Sequence, residues 1–147
     1  MISASGALII SKNTGRICLQ CRSESSSYSK DWGLWGGKIE TNELPIEALY
    51  RELKEELGIN LEILKIYPLH KFESIDSLFE YNTFLVIVDN EFVPELNEES
   101  SSYIWIKLEN VINLNLHPGT KNNIFLNKSI INKVNKIMAI NKPSPAF

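Results

Sequence analysis

The alternation of apolar and polar residues along the chain predicts a protein built largely of β-strands. The run at 3–11 is small and apolar, which favours a buried strand. Turn residues at 13–15 separate it from a second apolar run at 16–22, so the two runs are predicted to form a hairpin. Further strands are predicted at 59–72, 78–88 and 103–108, with a turn at 74–77.

A helix is predicted in the middle of the chain, over 45–57. Pro45 suits the first helical turn, and Gly58 suits the position after the last one. Leu44, at the N-cap position, has no side-chain acceptor, so local propensity does not fully explain where the helix begins. The apolar residues at helical spacing on its buried face are Ile46, Leu49, Leu53 and Leu57.

The last third of the chain predicts more helix. A helical turn within 108–116 is followed by a break at 117–119 and an amphipathic helix over 121–140. The tail at 141–147 is expected to fray. Strands around these two helices predict an α/β fold, a sandwich with a mixed sheet between helices, and the chain 1–147 is predicted to be one domain.

Composition narrows the function classes without choosing one. The chain has 147 residues, of which 44% are hydrophobic and 22% charged, with a net charge of −3. These values are typical of a globular domain, and the negative charge disfavours a general nucleic-acid binder. Neither a leader nor an apolar run of transmembrane length is recognised, so a cytoplasmic protein without a membrane partner is expected.

Cys18 and Cys21 are the only two cysteines. In the strand predicted at 16–22, their side chains point to opposite faces. A structural role is therefore favoured over a metal or redox site, since no second cysteine pair could complete a zinc site.

Three glutamates on the predicted helix are the first candidates for chemistry. Glu52, Glu55 and Glu56 stand at positions i, i+3 and i+4, which places them on one helix face. Their charges repel, and a divalent cation with oxygen ligands, such as Mg²⁺, would offset that repulsion. Taken alone, the pattern is more often a solvated acidic face on which Arg51 and Lys54 form surface pairs.

The residues around this helix favour a metal site over a solvated acidic face. Gly36 and Gly37 precede it, Glu43 lies just before it, and Gly58 ends it. The segment from Gly37 to Ile59 resembles the Nudix box, so the chain is identified as a MutT-like member of the Nudix hydrolase family. The fixed positions of that box are occupied by Gly37, Glu43, Arg51, Glu52, Leu53, Glu55, Glu56, Gly58 and Ile59.

The resemblance implies a metal site. Glu52, Glu55 and Glu56 correspond to the glutamates that bind Mg²⁺, for which Mn²⁺ is a possible substitute. Glu55 and Glu56 are also candidates to position or deprotonate the attacking water. The backbone carbonyl near Gly36 is expected to join the metal ligands.

Supporting roles follow from the same resemblance. Arg51 and Glu43 correspond to a pair that braces the loop against the helix, and Gly37 lets backbone approach metal and phosphate. In many relatives another ligand or base comes from the acidic loop before the late tryptophan strand, here 91–102; the alternative is spare charge on a solvated loop. The candidates on that loop, in order of preference, are Glu99, Glu98 and Glu95.

Substrate contacts are harder to assign. Most relatives have proline before the paired glycines, where this chain has Trp35. This departure is expected to alter the rim of the pocket. Trp32 and Trp35 are candidates to stack on a base, with packing in the core or at the rim as the alternative for one or both. Arg22 is a candidate to bind phosphate oxygens. The candidates for base selectivity are Tyr81, Tyr103 and Asn122.

The resemblance implies a metal-dependent pyrophosphohydrolase that cleaves a phosphoanhydride bond in a nucleoside diphosphate derivative. The core hairpin begins almost at Met1, whereas relatives acting on ADP-ribose commonly carry an extra N-terminal strand region, which favours (deoxy)nucleoside triphosphates. Nucleotide sugars such as ADP-ribose or GDP-mannose are the alternative, followed by dinucleoside polyphosphates and RNA 5′ ends. A silent nucleotide-binding module, an isoprenoid diphosphate isomerase and a homodimer also stay open.

Overall fold

The computed structural model describes residues 1–25 and 27–142, which form a seven-stranded mixed sheet packed between helices. The predicted α/β sandwich is therefore confirmed. The strands are β1 (Ile2–Ser11), β2 (Arg16–Arg22), β3 (Trp32–Gly33), β4 (Trp35–Lys38), β5 (Lys65–Glu73), β6 (Phe79–Val88) and β7 (Ser100–Lys107). The helices are α1 (Pro45–Leu57), α2 (Pro118–Thr120) and α3 (Lys128–Ile140), with a 3₁₀ turn at Leu108–Asn113 and a π-helical turn at Lys121–Phe125.

The central strand of the sheet is β1, which pairs with three others. Its whole length runs parallel to β6, while β2 and β4 share its other edge as antiparallel partners. The hairpin of β5 and β6 extends the sheet on one side, and β7 pairs with β2 on the other. The short β4 lies with Gly36 directly opposite Gly6 of β1. The paired glycines are thus held against the centre of the sheet.

Side chains alternate between the two faces of the sheet, and each face has its own apolar cluster. On one face, which we call the α1 face, Ile9 of β1 packs in a cluster with Leu49 of α1. On the opposite α3 face, Leu8 of β1 packs in a cluster with Val134 of α3. Because successive side chains of β1 point to opposite faces, this strand contributes residues to both apolar clusters.

Helix α1 begins and ends at the residues that the sequence predicts. Pro45 occupies the first turn, and Gly58 adopts φ 63°, a left-handed conformation that ends the helix. Leu44 contributes no side-chain cap, but its N–H donates to Oε1 of Glu47 at 2.8 Å. This hydrogen bond from the N-cap backbone to the Glu47 side chain is one of the two bonds of a capping box. It stabilises the start of α1 although Leu44 has no capping side chain.

Two predicted boundaries in the second half of the sheet are wrong. The strand predicted at 59–72 begins only at Lys65, because Ile59, Leu61 and Ile63 pack as non-strand backbone against the cluster of the α1 face. Conversely, β7 begins at Ser100 rather than at Tyr103, so the acidic loop is shorter than 91–102.

The predicted closing helix at 121–140 is also divided. The expected break at 117–119 instead starts a helical segment, since Nδ1 of His117 accepts the N–H of Gly119 at 3.1 Å and α2 begins at Pro118. The break comes later, at Asn127, whose Oδ1 accepts the N–H of Ser129 at 3.1 Å and caps α3. The helical turn predicted within 108–116 is present as the 3₁₀ turn.

Cys18 and Cys21 lie on opposite faces of β2, as predicted from strand geometry. Cys18 is buried in the cluster of the α1 face, where burial raises the pKa of its thiol to about 12. Cys21 is half-buried, and its Sγ lies 3.5 Å from the carbonyl of Lys30. The predicted fraying of the tail falls mainly on 143–147, outside the described residues.

None of the helices within 1–25 and 27–142 combines the length and the apolar character needed to cross a membrane.

Candidate active site

Glu56 is the most deeply buried acidic residue of the candidate site. Its side chain projects from α1 towards β4, is 1% exposed, and accepts two hydrogen bonds. Oε1 accepts the backbone N–H of Gly36 at 2.7 Å, and Oε2 accepts Nε2 of Gln20 at 3.0 Å. Burial raises the pKa of Glu56 to about 8, helped by the nearby charge of Glu52, while these two hydrogen bonds oppose the rise.

Glu52 lies one helical turn before Glu56, against the backbone of Gly37. A Cβ atom on Gly37 would lie 2.6 Å from Cδ of Glu52, so only glycine leaves room for this carboxylate. Oε1 of Glu52 accepts Nη1 of Arg51 at 2.9 Å. Burial raises the pKa of Glu52, and the Arg51 guanidinium opposes that rise.

Gly36 is required for a different reason. Its φ of 144° favours glycine, and a Cβ there would lie 2.0 Å from the carbonyl oxygen of Ser5. In this conformation the Gly36 N–H points to Oε1 of Glu56. Whether the Gly36 carbonyl binds a metal stays a prediction.

Arg51 joins α1 to the segment that precedes it. Its Nε and Nη2 donate to the two carboxylate oxygens of Glu43 at 2.8 and 2.9 Å, and Nη2 also donates to the carbonyl of Lys38 at 3.0 Å. The guanidinium lowers the pKa of Glu43 to about 2. These hydrogen bonds tie the loop to the helix, which is the geometry that the resemblance implies for this pair.

Glu55 and the loop glutamates are more exposed than Glu52 and Glu56. The side chain of Glu55 is 56% exposed, and its Oε2 lies 3.6 Å from Nη1 of Arg51. Of the three loop candidates, Glu99 is close enough to raise the pKa of both Glu52 and Glu56. Glu95 instead packs its backbone against Gly58, at the end of α1.

The donor atoms fit a hard divalent cation. Burial, followed by neighbouring negative charge, raises the pKa of Glu52 and of Glu56, and a cation between them would favour the ionised form of both. Their donor atoms are all oxygen, which suits Mg²⁺ and Mn²⁺. Within the described part of the chain, however, no three acidic, histidine or cysteine side chains stand ready-assembled as a metal site.

A cavity of about 520 Å³ opens on the α3 face beside β4. Tyr81 lines this cavity, and burial and then the charge of Glu56 raise the pKa of its hydroxyl. Rings and apolar groups are mixed with cationic and polar side chains around it. The residues that line it include Arg22, Lys38, Phe72, Phe79, Tyr81 and Asn123.

The predicted substrate contacts have different outcomes. Trp35 is fully buried on the α1 face, where its Nε1 donates to the carbonyl of Cys18 at 3.1 Å, so stacking on a base is wrong for Trp35 and the alternative of core packing is confirmed. Trp32 packs against the cluster of the α3 face. Arg22 lines the cavity, while Tyr103 lies half-buried on the α1 face, opposite Gln20.

Sequence analysis missed several residues of this cavity. Phe72 and Phe79 stand at the ends of β5 and β6, where the sequence predicts only strands. Asn123 rather than Asn122 faces the cavity. Gln20, the partner of Glu56, was also missed. A polar residue inside the apolar run at 16–22 was the signal that could have identified it.

A family model described as the NUDIX domain matches residues 2–126. The chain belongs to the Nudix family. The 8-oxo-dGTP diphosphatase of Haemophilus influenzae is 31% identical over 100 residues, which cover 67% of this chain and 71% of that protein. Nucleoside triphosphatase NudI of Escherichia coli is 31% identical over 110 residues, which cover 67% of this chain and 77% of NudI.

The fold of this Nudix protein is similar to that of RenU, a Nudix hydrolase from M. smegmatis. The two structures superimpose with a TM-score of 0.70 at 21% identity, over 99% of this chain and 89% of RenU. The predicted family, fold and hydrolase activity are thereby confirmed. Nudix hydrolases generally need a divalent metal ion, in agreement with the donor atoms described above.

Proposed function

We propose that this Nudix hydrolase cleaves nucleoside and deoxynucleoside triphosphates to a nucleoside monophosphate and pyrophosphate. The observation that carries the proposal is the buried Glu56 and the half-buried Glu52 on α1, together with a cavity of about 520 Å³ with aromatic walls on the other face of the sheet. A cavity of this size suits one nucleoside. The relatives named 8-oxo-dGTP diphosphatase and nucleoside triphosphatase support the same substrate class.

Mg²⁺, or Mn²⁺ in its place, would be held by Glu52, Glu55 and Glu56, with the Gly36 carbonyl as a further ligand. When bound, such an ion neutralises phosphate charge and lowers the pKa of a bound water. The Gly36 N–H keeps one oxygen of Glu56 occupied, which directs the carboxylate. Arg51 anchors Glu52 by the hydrogen bond at 2.9 Å.

The reaction itself is a hydrolysis in which water attacks phosphorus. A P–O bond forms as the P–O bond to the departing pyrophosphate breaks, and the water proton passes to a carboxylate. We assign that proton transfer to Glu99, with Glu55 as the second candidate, because both are exposed to solvent and lie close enough to Glu52 to raise its pKa. No covalent intermediate is required.

The base would lie in the cavity on the α3 face. Phe72, Phe79 and Tyr81 offer aromatic surface for stacking, and Asn123 offers an amide that both donates and accepts hydrogen bonds. Arg22 and Lys38 supply positive charge for phosphate oxygens in the same cavity.

The test is product analysis after incubation with Mg²⁺ or Mn²⁺ and a substrate panel. The panel contains the four dNTPs, 8-oxo-dGTP, ADP-ribose, GDP-mannose and diadenosine polyphosphates. Glu56→Gln should lose at least about 100-fold in kcat while remaining folded, since the carboxylate is replaced by an amide of the same shape. Glu62→Gln, an exposed glutamate outside the site, is the matched control and should keep full activity.

Each result has a distinct meaning. Pyrophosphate release from a triphosphate, lost in Glu56→Gln, supports the proposal. Cleavage of ADP-ribose or a nucleotide sugar alone would support the proposed metal site but contradict the proposed substrate class, and the protein would then be a nucleotide-sugar hydrolase. Metal binding without cleavage would direct the search to capped RNA, and a protein that neither binds metal nor cleaves would be a silent nucleotide-binding module.

A further inference from the structure

Gln20 links two parts of the candidate active site that come from separate elements. It lies on β2, and its side chain faces α1 and is 5% exposed. Nε2 donates to Oε2 of Glu56 at 3.0 Å and to the carbonyl of Leu34 at 2.9 Å. Oε1 accepts the hydroxyl of Ser100, at the start of β7. Both ends of the amide are therefore occupied, which fixes its orientation.

A β-bulge brings Ser100 to Gln20. In the ladder of β2 and β7, Tyr103 stands opposite Gln20, but Ser100 rather than Ser101 stands opposite Arg22. The extra residue reverses which side chains share a face of the sheet. Ser100 is consequently buried on the α1 face beside Gln20, whereas Ser101 is exposed.

This hydrogen bond also locates the loop glutamate. Glu99 directly precedes Ser100, its N–H donates to Oδ1 of Asn97 at 2.9 Å, and its carbonyl accepts the N–H of Ser23 at 3.0 Å. Fixing Ser100 to Gln20 therefore restrains the backbone from which the Glu99 side chain extends. The Gln20 amide thus contacts the Glu56 carboxylate directly and restrains the backbone of Glu99 through Ser100.

We propose that Gln20 is a positioning residue for the Nudix reaction, which orients Glu56 for metal binding and, through Ser100, keeps Glu99 beside it. An amide suits this position because it donates and accepts at once, whereas a carboxylate could only accept and would add another negative charge beside Glu56. The inference rests on the proposed metal site, and its test distinguishes a failure of the role of Gln20 from a failure of the metal site.

The test uses Gln20→Met, which keeps the length of the side chain and removes its hydrogen bonds, and Ser100→Ala, which removes the second contact. Mn²⁺ binding is measured by electron paramagnetic resonance without nucleotide, and kcat and KM are measured with a cleaved triphosphate. Gln20→Met should bind Mn²⁺ about tenfold more weakly and lose about 10- to 100-fold in kcat, with KM changed by less than about threefold.

Ser100→Ala should change Mn²⁺ binding and kcat in the same direction by a smaller factor, and Ser100→Thr should restore them because the hydroxyl returns. The double variant should be no worse than Gln20→Met alone, since both changes break one hydrogen-bonded chain. Ser11→Ala is the matched control: Ser11 is a buried strand serine whose hydroxyl bonds the Asp89 carbonyl, away from the site.

Glu56→Gln, measured beside these variants, distinguishes the possible failures. If it loses Mn²⁺ binding while Gln20→Met and Ser100→Ala bind and turn over like the parent protein, the role of Gln20 is disproved and the metal site stands. If all three bind Mn²⁺ normally, the proposed metal site fails and the inference fails with it. Should Gln20→Met not fold, as judged by circular dichroism, Ser100→Ala and its threonine rescue decide the question.

Discussion

At the scale of single residues, two adjacent glycines determine how the carboxylates meet the backbone. Gly36 turns its N–H to Glu56 and leaves no room for a side chain against Ser5. Gly37 leaves the space that the Glu52 carboxylate fills. The two positions differ in kind, because Gly36 needs its unusual backbone angle whereas Gly37 needs only the missing Cβ.

We predict that Gly37→Ala weakens divalent metal binding by about tenfold and lowers kcat at least as much. The new Cβ would lie 2.6 Å from Cδ of Glu52, which is closer than van der Waals contact, so this carboxylate must move. The measurements are Mn²⁺ affinity and kcat on a triphosphate, together with urea unfolding to show that the variant stays folded.

Gly15→Ala is the control for this variant. Nothing lies within 4 Å of a Cβ at Gly15, but its φ of 72° disfavours alanine. It should therefore cost about 1 kcal/mol of unfolding free energy and leave Mn²⁺ affinity unchanged. Wild-type Mn²⁺ affinity in Gly37→Ala would mean that metal binding does not need Glu52 in its observed position.

Sequence reasoning at this scale succeeded where spacing fixes geometry. Glu52 and Glu56 are four residues apart on a helix, so their shared face could be predicted without knowing the rest of the fold. Trp35 could not be placed in the same way. Its burial depends on the pairing of β4 with β1, which brings the indole beneath α1.

At the scale of elements, Arg51 fastens α1 to the segment between β4 and the helix. It bonds Glu43 in the loop, Glu52 on its own helix and the carbonyl of Lys38 at the end of β4. The charge of Arg51 therefore stabilises the loop conformation and the position of one candidate ligand together.

We predict that Glu43→Gln destabilises the protein in a pH-dependent way. The Arg51 guanidinium lowers the pKa of Glu43 to about 2 in the folded state, below the value of about 4.3 for an unfolded chain. The carboxylate therefore contributes stability that is present above about pH 5 and is lost as pH falls towards 2. Urea unfolding of the parent and variant across this range measures the difference.

The two stability curves should be furthest apart near neutral pH and converge in acid. A constant gap between them at every pH would show that Glu43 acts through packing rather than through its charge. Adding about 1 M salt should narrow the gap at neutral pH, because the pair lies at the surface and salt screens it.

The elements predicted most accurately were those with their own start and stop residues. Pro45 and Gly58 delimit α1, so its bounds follow from local chemistry. The start of β5 has no such marker, because Ile59, Leu61 and Ile63 alternate like a strand but pack on the α1 cluster without pairing. The division before α3 depends on the Asn127 cap, a signal that the run of apolar residues at helical spacing concealed.

At the scale of the whole molecule, the sheet separates the proposed metal ligands from the proposed base pocket. The carboxylates belong to α1 on one face, and the cavity opens on the other, where burial and then the charge of Glu56 raise the pKa of the Tyr81 hydroxyl. Between them lie Gly6 and Gly36, which face each other without side chains. A substrate that contacts both regions would pass the end of β4, where Lys38 lines the cavity and its carbonyl accepts Nη2 of Arg51.

The cavity could not be predicted from the sequence, because it forms only when distant parts of the chain come together. Its walls come from β2, the β3–β4 region, β5, β6 and the α2 segment, which are far apart in the chain. Phe72 and Phe79 carry no motif, and they meet only because β5 and β6 form a hairpin. The metal ligands, in contrast, are local in sequence, which explains why the chemistry was easier to predict than the substrate.

The buried Glu56 links the active site to the stability of the whole protein. Burial raises the pKa of Glu56 to about 8, above the unfolded value of about 4.3, so the folded state binds the proton more tightly. We therefore predict that the metal-free protein loses stability as pH rises from about 4.5 to 8, on the order of a few kcal/mol. Urea unfolding in EDTA across this range measures the loss, and Glu56→Gln should flatten the curve.

Mg²⁺ should restore stability at the alkaline end, because a cation bound to the ionised carboxylate replaces the proton that Glu56 has lost. The gain should grow with pH and should be absent in Glu56→Gln. A metal-free protein whose stability is flat between pH 4.5 and 8 would show that Glu56 ionises without cost in its buried position. The hydrogen bonds from Gly36 and Gln20 would then be enough to stabilise the buried carboxylate. Metal binding would gain no free energy from offsetting the desolvation of Glu56.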